Sequence, residues 1–125
     1  MYTVMFVDDE SRDLGPTKAY LEMTKEMHVK LIADPDIALA EARRLKPDLF
    51  LIDLYMPPSG GDGLGDAIRH DPELKDKPII FITGKLATPP EQYANRENEW
   101  LVTKDIAPSA LRGMILDILR GKATR

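Results

Sequence analysis

The chain contains no cysteine and only two histidines among its 125 residues. Thiolate zinc sites, iron–sulfur clusters, thiol nucleophiles and a disulfide scaffold are thereby excluded, and two isolated histidines cannot supply a histidine-rich metal site. A chain of this size buries roughly two-thirds of the surface exposed when unfolded, so its core needs no such staple. Long apolar runs are also missing: none approaches the roughly 18 to 20 residues of a spanning helix. The opening MYTVMFVDDE has no basic segment ahead of its apolar stretch, unlike a secretory signal. A basic excess is lacking too, since 17 Lys and Arg face 21 Asp and Glu for a net charge of -4. That balance offers no electrostatic footprint for nucleic acid. These absences predict one soluble domain over residues 1–125, cytoplasmic, with no membrane insertion and no direct nucleic-acid partner.

What the sequence does contain is an alternation of two periods. Tyr2 to Val7 is an apolar, β-branched run that stops at Asp8, Asp9 and Glu10, the pattern of a buried strand meeting a polar edge. Pro16 suits a helix's first turn, and Tyr20, Met23 and Met27 then fall at i, i+3 and i+7 as one apolar stripe. Val29 to Ala33 reads as a second strand. Asp34-Pro35 supplies an N-cap and first-turn proline for a helix through Leu45, with Ala38, Ala42 and Leu45 facing inward. Leu49 to Ile52 is a third strand, ending at Asp53.

The stretch from Met56 to Gly63 predicts a long Pro- and Gly-rich loop, followed by a short helix from Leu64 to His70. Pro78 to Ile82 reads as a fourth strand ending at Thr83-Gly84, and Thr88 to about Asn98 as a modest helix. Leu101 to Thr103 is a short fifth strand ending at Lys104. Leu111, Met114, Ile115, Ile118 and Leu119 carry the strongest helical stripe, with Gly121 at C′. Five strands alternating with five helices imply an α/β fold, a doubly wound parallel sheet covered on both faces. The expected strand order at this size is the flavodoxin-like 2-1-3-4-5, because a closed barrel needs about 250 residues.

In such a sheet ligands bind beyond the carboxyl ends of the strands. Asp8, Asp9, Asp53, Thr83 and Lys104 stand where strands stop, so three carboxylates, a hydroxyl and an ammonium converge. Clustered carboxylates repel unless a cation neutralises them, and Mg²⁺ is a hard dication that takes oxygen ligands and keeps waters exchangeable for phosphate oxygens. A carboxylate beside it can attack phosphorus and form an aspartyl phosphate, while the hydroxyl and ammonium hold the phosphoryl oxygens.

The fragments VDDE at Val7–Glu10, LIDLYMP at Leu51–Pro57, FITG at Phe81–Gly84 and TK at Thr103–Lys104 resemble the receiver domains of two-component response regulators. Their separations carry the resemblance across the chain: 44 residues from Asp9 to Asp53, 30 from Asp53 to Thr83, and 21 from Thr83 to Lys104. The resemblance implies that Asp53 is the phosphoacceptor and Asp9 a direct Mg²⁺ ligand. It makes Asp8 a ligand mainly through water and the Tyr55 backbone carbonyl a further one, with Thr83 and Lys104 reading the phosphoryl group. The implied partners are a sensor histidine kinase or histidine phosphotransfer protein as donor. A downstream protein target would meet the face made by the fourth helix, fifth strand and fifth helix. The resemblance implies a self-phosphorylating and self-dephosphorylating switch rather than a turnover enzyme, for which the label of enzyme is marginal.

Two positions depart from the family pattern, and the loop between Met56-Pro57 and Asp62-Gly63 holds four residues where that pattern commonly has two. Asp105 follows Lys104 where proline is usual, which predicts a trans bond there, since a non-proline cis bond costs about 2.5 to 4 kcal/mol. Leu101 stands where the family carries a switching aromatic, and Trp100 is either a partner contact or a packed residue where the strand begins. Tyr55, two residues after Asp53, either screens the phosphoryl group or fills space. Gly84 either leaves room for a phosphodonor or is a turn glycine, and His28 and His70 are expected on the surface. Two alternatives stay open: a degenerate receiver acting as a phosphorylation-independent interaction module, and an aspartate-nucleophile phosphatase. The latter wants a second aspartate where Tyr55 stands.

Overall fold

The near-uninterrupted apolar runs form the interior of a parallel sheet in a computed structural model that describes residues 1–10, 14–56, 60–84 and 96–122. The elements run β1 (Tyr2–Val7), α1 (Gly15–Glu22), β2 (Met27–Ile32), α2 (Pro35–Leu45), β3 (Leu49–Asp53), α3 (Gly60–Arg69), β4 (Ile79–Thr83), β5 (Glu99–Thr103) and α4 (Pro108–Leu119). The sheet order is β2-β1-β3-β4-β5, all pairs parallel. This is the expected flavodoxin-like arrangement. β3 and β4 are buried along their whole length, whereas the edge strand β2 alternates and leaves His28 and Lys30 exposed.

Successive residues of a strand face opposite sides, so the sheet separates two apolar layers. Met5, Val7, Phe50, Ile52 and Phe81 pack with Ala38, Ala42 and Ile68 on the α2 and α3 side. Val4, Phe6, Leu49, Leu51, Ile80 and Ile82 pack with Leu21, Leu111 and Ile115 on the α1 and α4 side. The capping expected of α2 is present: the Asp34 carboxylate accepts from the Asp36 amide at 2.9 Å, and Lys46 closes the helix in the left-handed region at φ 50°. Gly121, at φ 71°, follows α4 as a C′ glycine.

Several boundaries depart from expectation. The Tyr20, Met23, Met27 stripe does not form, because α1 stops at Glu22: Met23 is 68% exposed, and Met27 instead opens β2 as a buried strand residue. A turn through Lys25, at φ 58°, separates the two elements. β2 therefore spans Met27–Ile32 and not Val29 to Ala33, while β5 starts earlier, at Glu99. The glycines expected in a loop at positions 60 to 63 belong to the first turn of α3. The helix expected from Thr88 to Asn98 lies mainly outside the described residues. Its last three positions are bend and turn, with Asn98 at φ 60°. Among the described residues there are four helices.

Candidate functional site

The parallel pairing of β1 with β3 sets Val7 opposite Ile52, so the next step along each strand brings Asp8 and Asp53 side by side. Asp8 shares the strand parity of Val4 and Phe6, and Asp53 that of Leu49 and Leu51. Both carboxylates are nearly enclosed, at 2% and 3% exposure, while Asp9 is open to solvent. One oxygen from each of Asp8, Asp9 and Asp53 lies within 4.8 Å of the others. All the donors in this cluster are carboxylate oxygens, the chemistry that suits Mg²⁺ and not a soft metal. β4 and β5 complete the edge: Thr83 pairs with Thr103 and is 1% exposed, and the Lys104 amide donates to the Thr83 carbonyl at 2.9 Å. From there the Lys104 ammonium reaches Asp8 Oδ2 at 3.5 Å and Asp53 Oδ2 at 3.4 Å.

Local backbone bonds hold the carboxylates in place. Asp8 Oδ1 accepts the Glu10 amide at 2.9 Å, and Asp53 Oδ1 accepts the Tyr55 amide at 3.2 Å. Burial pushes the Asp53 carboxyl above the ordinary carboxylate range; the Tyr55 amide opposes this, the Asp8 charge adds to it, and Lys104 opposes it. Burial pulls the Lys104 ammonium down, but the charges of Asp8 and Asp53 outweigh it and hold its pKa above the usual lysine value. Relative to ordinary side chains, Asp53 is thus easier to protonate and Lys104 harder to deprotonate.

All five strand-end residues singled out from the sequence stand at this one edge. The Tyr55 side chain is 43% exposed. Gly84 is exposed at the same edge, where an added Cβ would lie 3.6 Å from Lys104 Cδ. His28 and His70 are surface residues, His28 against Glu22 at 3.1 Å and His70 Nδ1 against the Asp66 carbonyl at 2.7 Å. Trp100 is half-buried against the α1 and α4 layer and lines a groove of about 470 Å³ with Met114 and Ile118.

Two features went unread in the sequence. Asp71, buried after α3, accepts from Arg43 Nε at 2.5 Å and from the Glu73 amide at 2.9 Å; the Arg43 bond holds its carboxyl below the ordinary range. Gly61 lies against the backbone of Asp53 and Leu54, and Gly65, four residues on, lies under the Phe81 ring. Glycines one helical turn apart are a cue to close helix–sheet approach, but only once a helix is assigned across them.

Fold and site together define an open α/β sheet with a carboxylate–lysine pocket at the carboxyl ends of its strands. A profile for the response regulator receiver domain matches residues 4–116, and the chain belongs to that family, the receiver domains of two-component signalling. It is 27% identical over 122 residues to the protein PilH of Pseudomonas aeruginosa, covering 97% of this chain and all of that protein. It is 35% identical over 82 residues to the transcriptional regulatory protein ResD of Bacillus subtilis, covering 66% of this chain and 32% of that protein. Of three curated relatives that it matches, the chain spans only 9% to 32% of the length. A solved response regulator from Desulfuromonas acetoxidans superposes with a TM-score of 0.84 at 18% identity, covering 98% of this chain and all of the other, a likeness of fold. No helix among the described residues is long and apolar enough to cross a membrane.

Proposed function

We propose that Asp53 accepts a phosphoryl group from the phosphohistidine of a sensor histidine kinase or histidine phosphotransfer protein, and that the modified domain acts as a switch on a downstream protein. The observation that carries this reading is the meeting of Asp8, Asp9 and Asp53 within 4.8 Å, with the Lys104 ammonium on two of them. The Asp53 carboxylate attacks phosphorus, an O–P bond forms, and the P–N bond to the donor imidazole breaks with its electron pair leaving on nitrogen. Water later cleaves the acyl phosphate. The chain's part is to present Asp53 ionised, which burial resists and which Lys104 and the Tyr55 amide favour.

The residues that would hold Mg²⁺ are Asp9 directly, Asp8 mainly through water, Asp53 and the Tyr55 carbonyl. A bound Mg²⁺ neutralises charge that the transferring group brings into an already acidic pocket. Phosphorylation adds about -1.5 to -2 charge beside an ammonium now shared by Asp8 and Asp53. Lys104 and Thr83 are the groups positioned to answer it, by donating to phosphoryl oxygens. A tenfold shift of a two-state population needs only about 1.4 kcal/mol of such differential contact. The downstream target is assigned to the face of the fourth predicted helix, β5 and α4.

Incubation with acetyl phosphate and Mg²⁺, read by intact mass, tests the reading. Wild type should gain one phosphoryl mass that depends on the metal, and Asp53→Asn should gain none. An unmodified wild type, or an adduct that survives Asp53→Asn, refutes the assignment.

A further inference from the structure

We infer that Gly61 is a positioning residue for Asp53: its bare Cα lets the first turn of α3 seat on the Asp53 main chain, and that seat sets where the carboxylate stands. A Cβ at position 61 would lie 2.3 Å from the Asp53 carbonyl oxygen, 3.0 Å from its carbonyl carbon and 2.9 Å from Leu54 Cα. All three are backbone atoms, so no rotamer change relieves the contact. The glycine is also tied there, because its amide donates to the Leu54 carbonyl at 3.0 Å. On the opposite side the same backbone is held by β4, where the Leu54 amide donates to the Ile82 carbonyl at 2.8 Å. Asp53 and Leu54 are thus clamped between α3 and β4.

Any side chain at 61 forces either the helix or the end of β3 to move. Both contacts that orient the Asp53 carboxylate are sensitive to that movement. The Tyr55 amide bond at 3.2 Å depends on the backbone between residues 53 and 55, and the Lys104 contact at 3.4 Å is already long. Ångström-scale misplacement of a reacting group can cost on the order of 100-fold in rate. Gly65 provides the contrast: a Cβ there would meet the Phe81 ring at 2.7 Å, a side chain of the α2 and α3 layer, and no atom of Asp53.

This inference rests on the phosphoacceptor reading of Asp53, and the test separates the two. Gly61→Ala and Gly65→Ala are compared with wild type for metal-dependent phosphorylation by acetyl phosphate, at a temperature where thermal scans show all three folded. Both variants should lose stability, but only Gly61→Ala should lose phosphorylation rate, by about tenfold or more. A folded Gly61→Ala that reacts as fast as Gly65→Ala overturns the inference and leaves the phosphoacceptor reading intact. If Gly61→Ala does not fold, the wild-type amide resonances decide: beryllofluoride with Mg²⁺ should shift those of Gly61 and Leu54 and leave Gly65 in place, and an unmoved Gly61 overturns it. A wild type that is never modified at Asp53 overturns both readings.

Discussion

Replacing Lys104 with methionine removes the one cation among the described residues that touches both buried carboxylates of the pocket while keeping most of the length of the side chain. At 3.4 and 3.5 Å from Asp53 and Asp8, each pair is worth about 5 kcal/mol at an effective dielectric of ~20 and about 1 kcal/mol in bulk water. The Lys104 side chain is 40% exposed, which moves the effective value well towards the water limit. Removing the ammonium also relieves its own desolvation, so a net loss of about 2 kcal/mol at neutral pH is expected. The sign with pH follows from Asp53: without Lys104 its carboxyl rises further above the ordinary range. The loss is present while Asp53 is ionised and shrinks as pH falls towards ~4, where a proton on Asp53 replaces the missing cation. Urea unfolding of Lys104→Met and wild type from pH 7 down to about pH 4 measures it. The same variant should bind Mg²⁺ about tenfold more tightly, because an ammonium no longer repels the dication; a calorimetric titration with Mg²⁺ reads this. A stability loss that stays constant across the pH range, or weaker Mg²⁺ binding, would refute this electrostatic account.

Asp53→Asn should be more stable than wild type at pH 7 in the absence of Mg²⁺. The folded-state pKa of Asp53 is raised, so the aspartate's contribution is intact below its unfolded value and is lost as pH rises through the folded one. Each tenfold gain in proton affinity corresponds to about 1.4 kcal/mol, and a variant less stable than wild type at pH 7 would show that the Lys104 contact outweighs burial. Asp34→Ala removes the side-chain cap of α2 and should cost about 1 kcal/mol in urea unfolding. Its phosphorylation rate should match wild type, and a slower one would mean that α2 is coupled to the pocket.

Much of the fold was legible in one dimension because each central strand is buried on both faces and therefore reads as an unbroken apolar run ending at a polar residue. β1 and β3 are of this kind, and they put Asp8, Asp9 and Asp53 at their tips. The cap at Asp34 and the C′ glycine at 121 were legible for a local reason: each depends on residues within a turn of itself. The end of α1 is where the pattern misleads, because Tyr20, Met23 and Met27 follow helical spacing, yet the helix stops at Glu22, burial in it goes to Leu21, and Met27 is buried in β2. Periodicity records which residues prefer burial and is silent on where the chain turns between them.

The types of group at the carboxyl edge, and their order along the chain, belong to the sequence. That Asp8 and Asp53 become neighbours is a property of the β2-β1-β3 pairing, since 45 residues of chain separate them and only hydrogen-bonded strands bring them into register. The shared hold of Lys104 on both carboxylates, and the seating of Gly61 on the backbone of Asp53, arise only when distant elements pack. Charge and hydrophobic pattern are carried by single residues, whereas distances between those residues exist only after the chain has closed on itself.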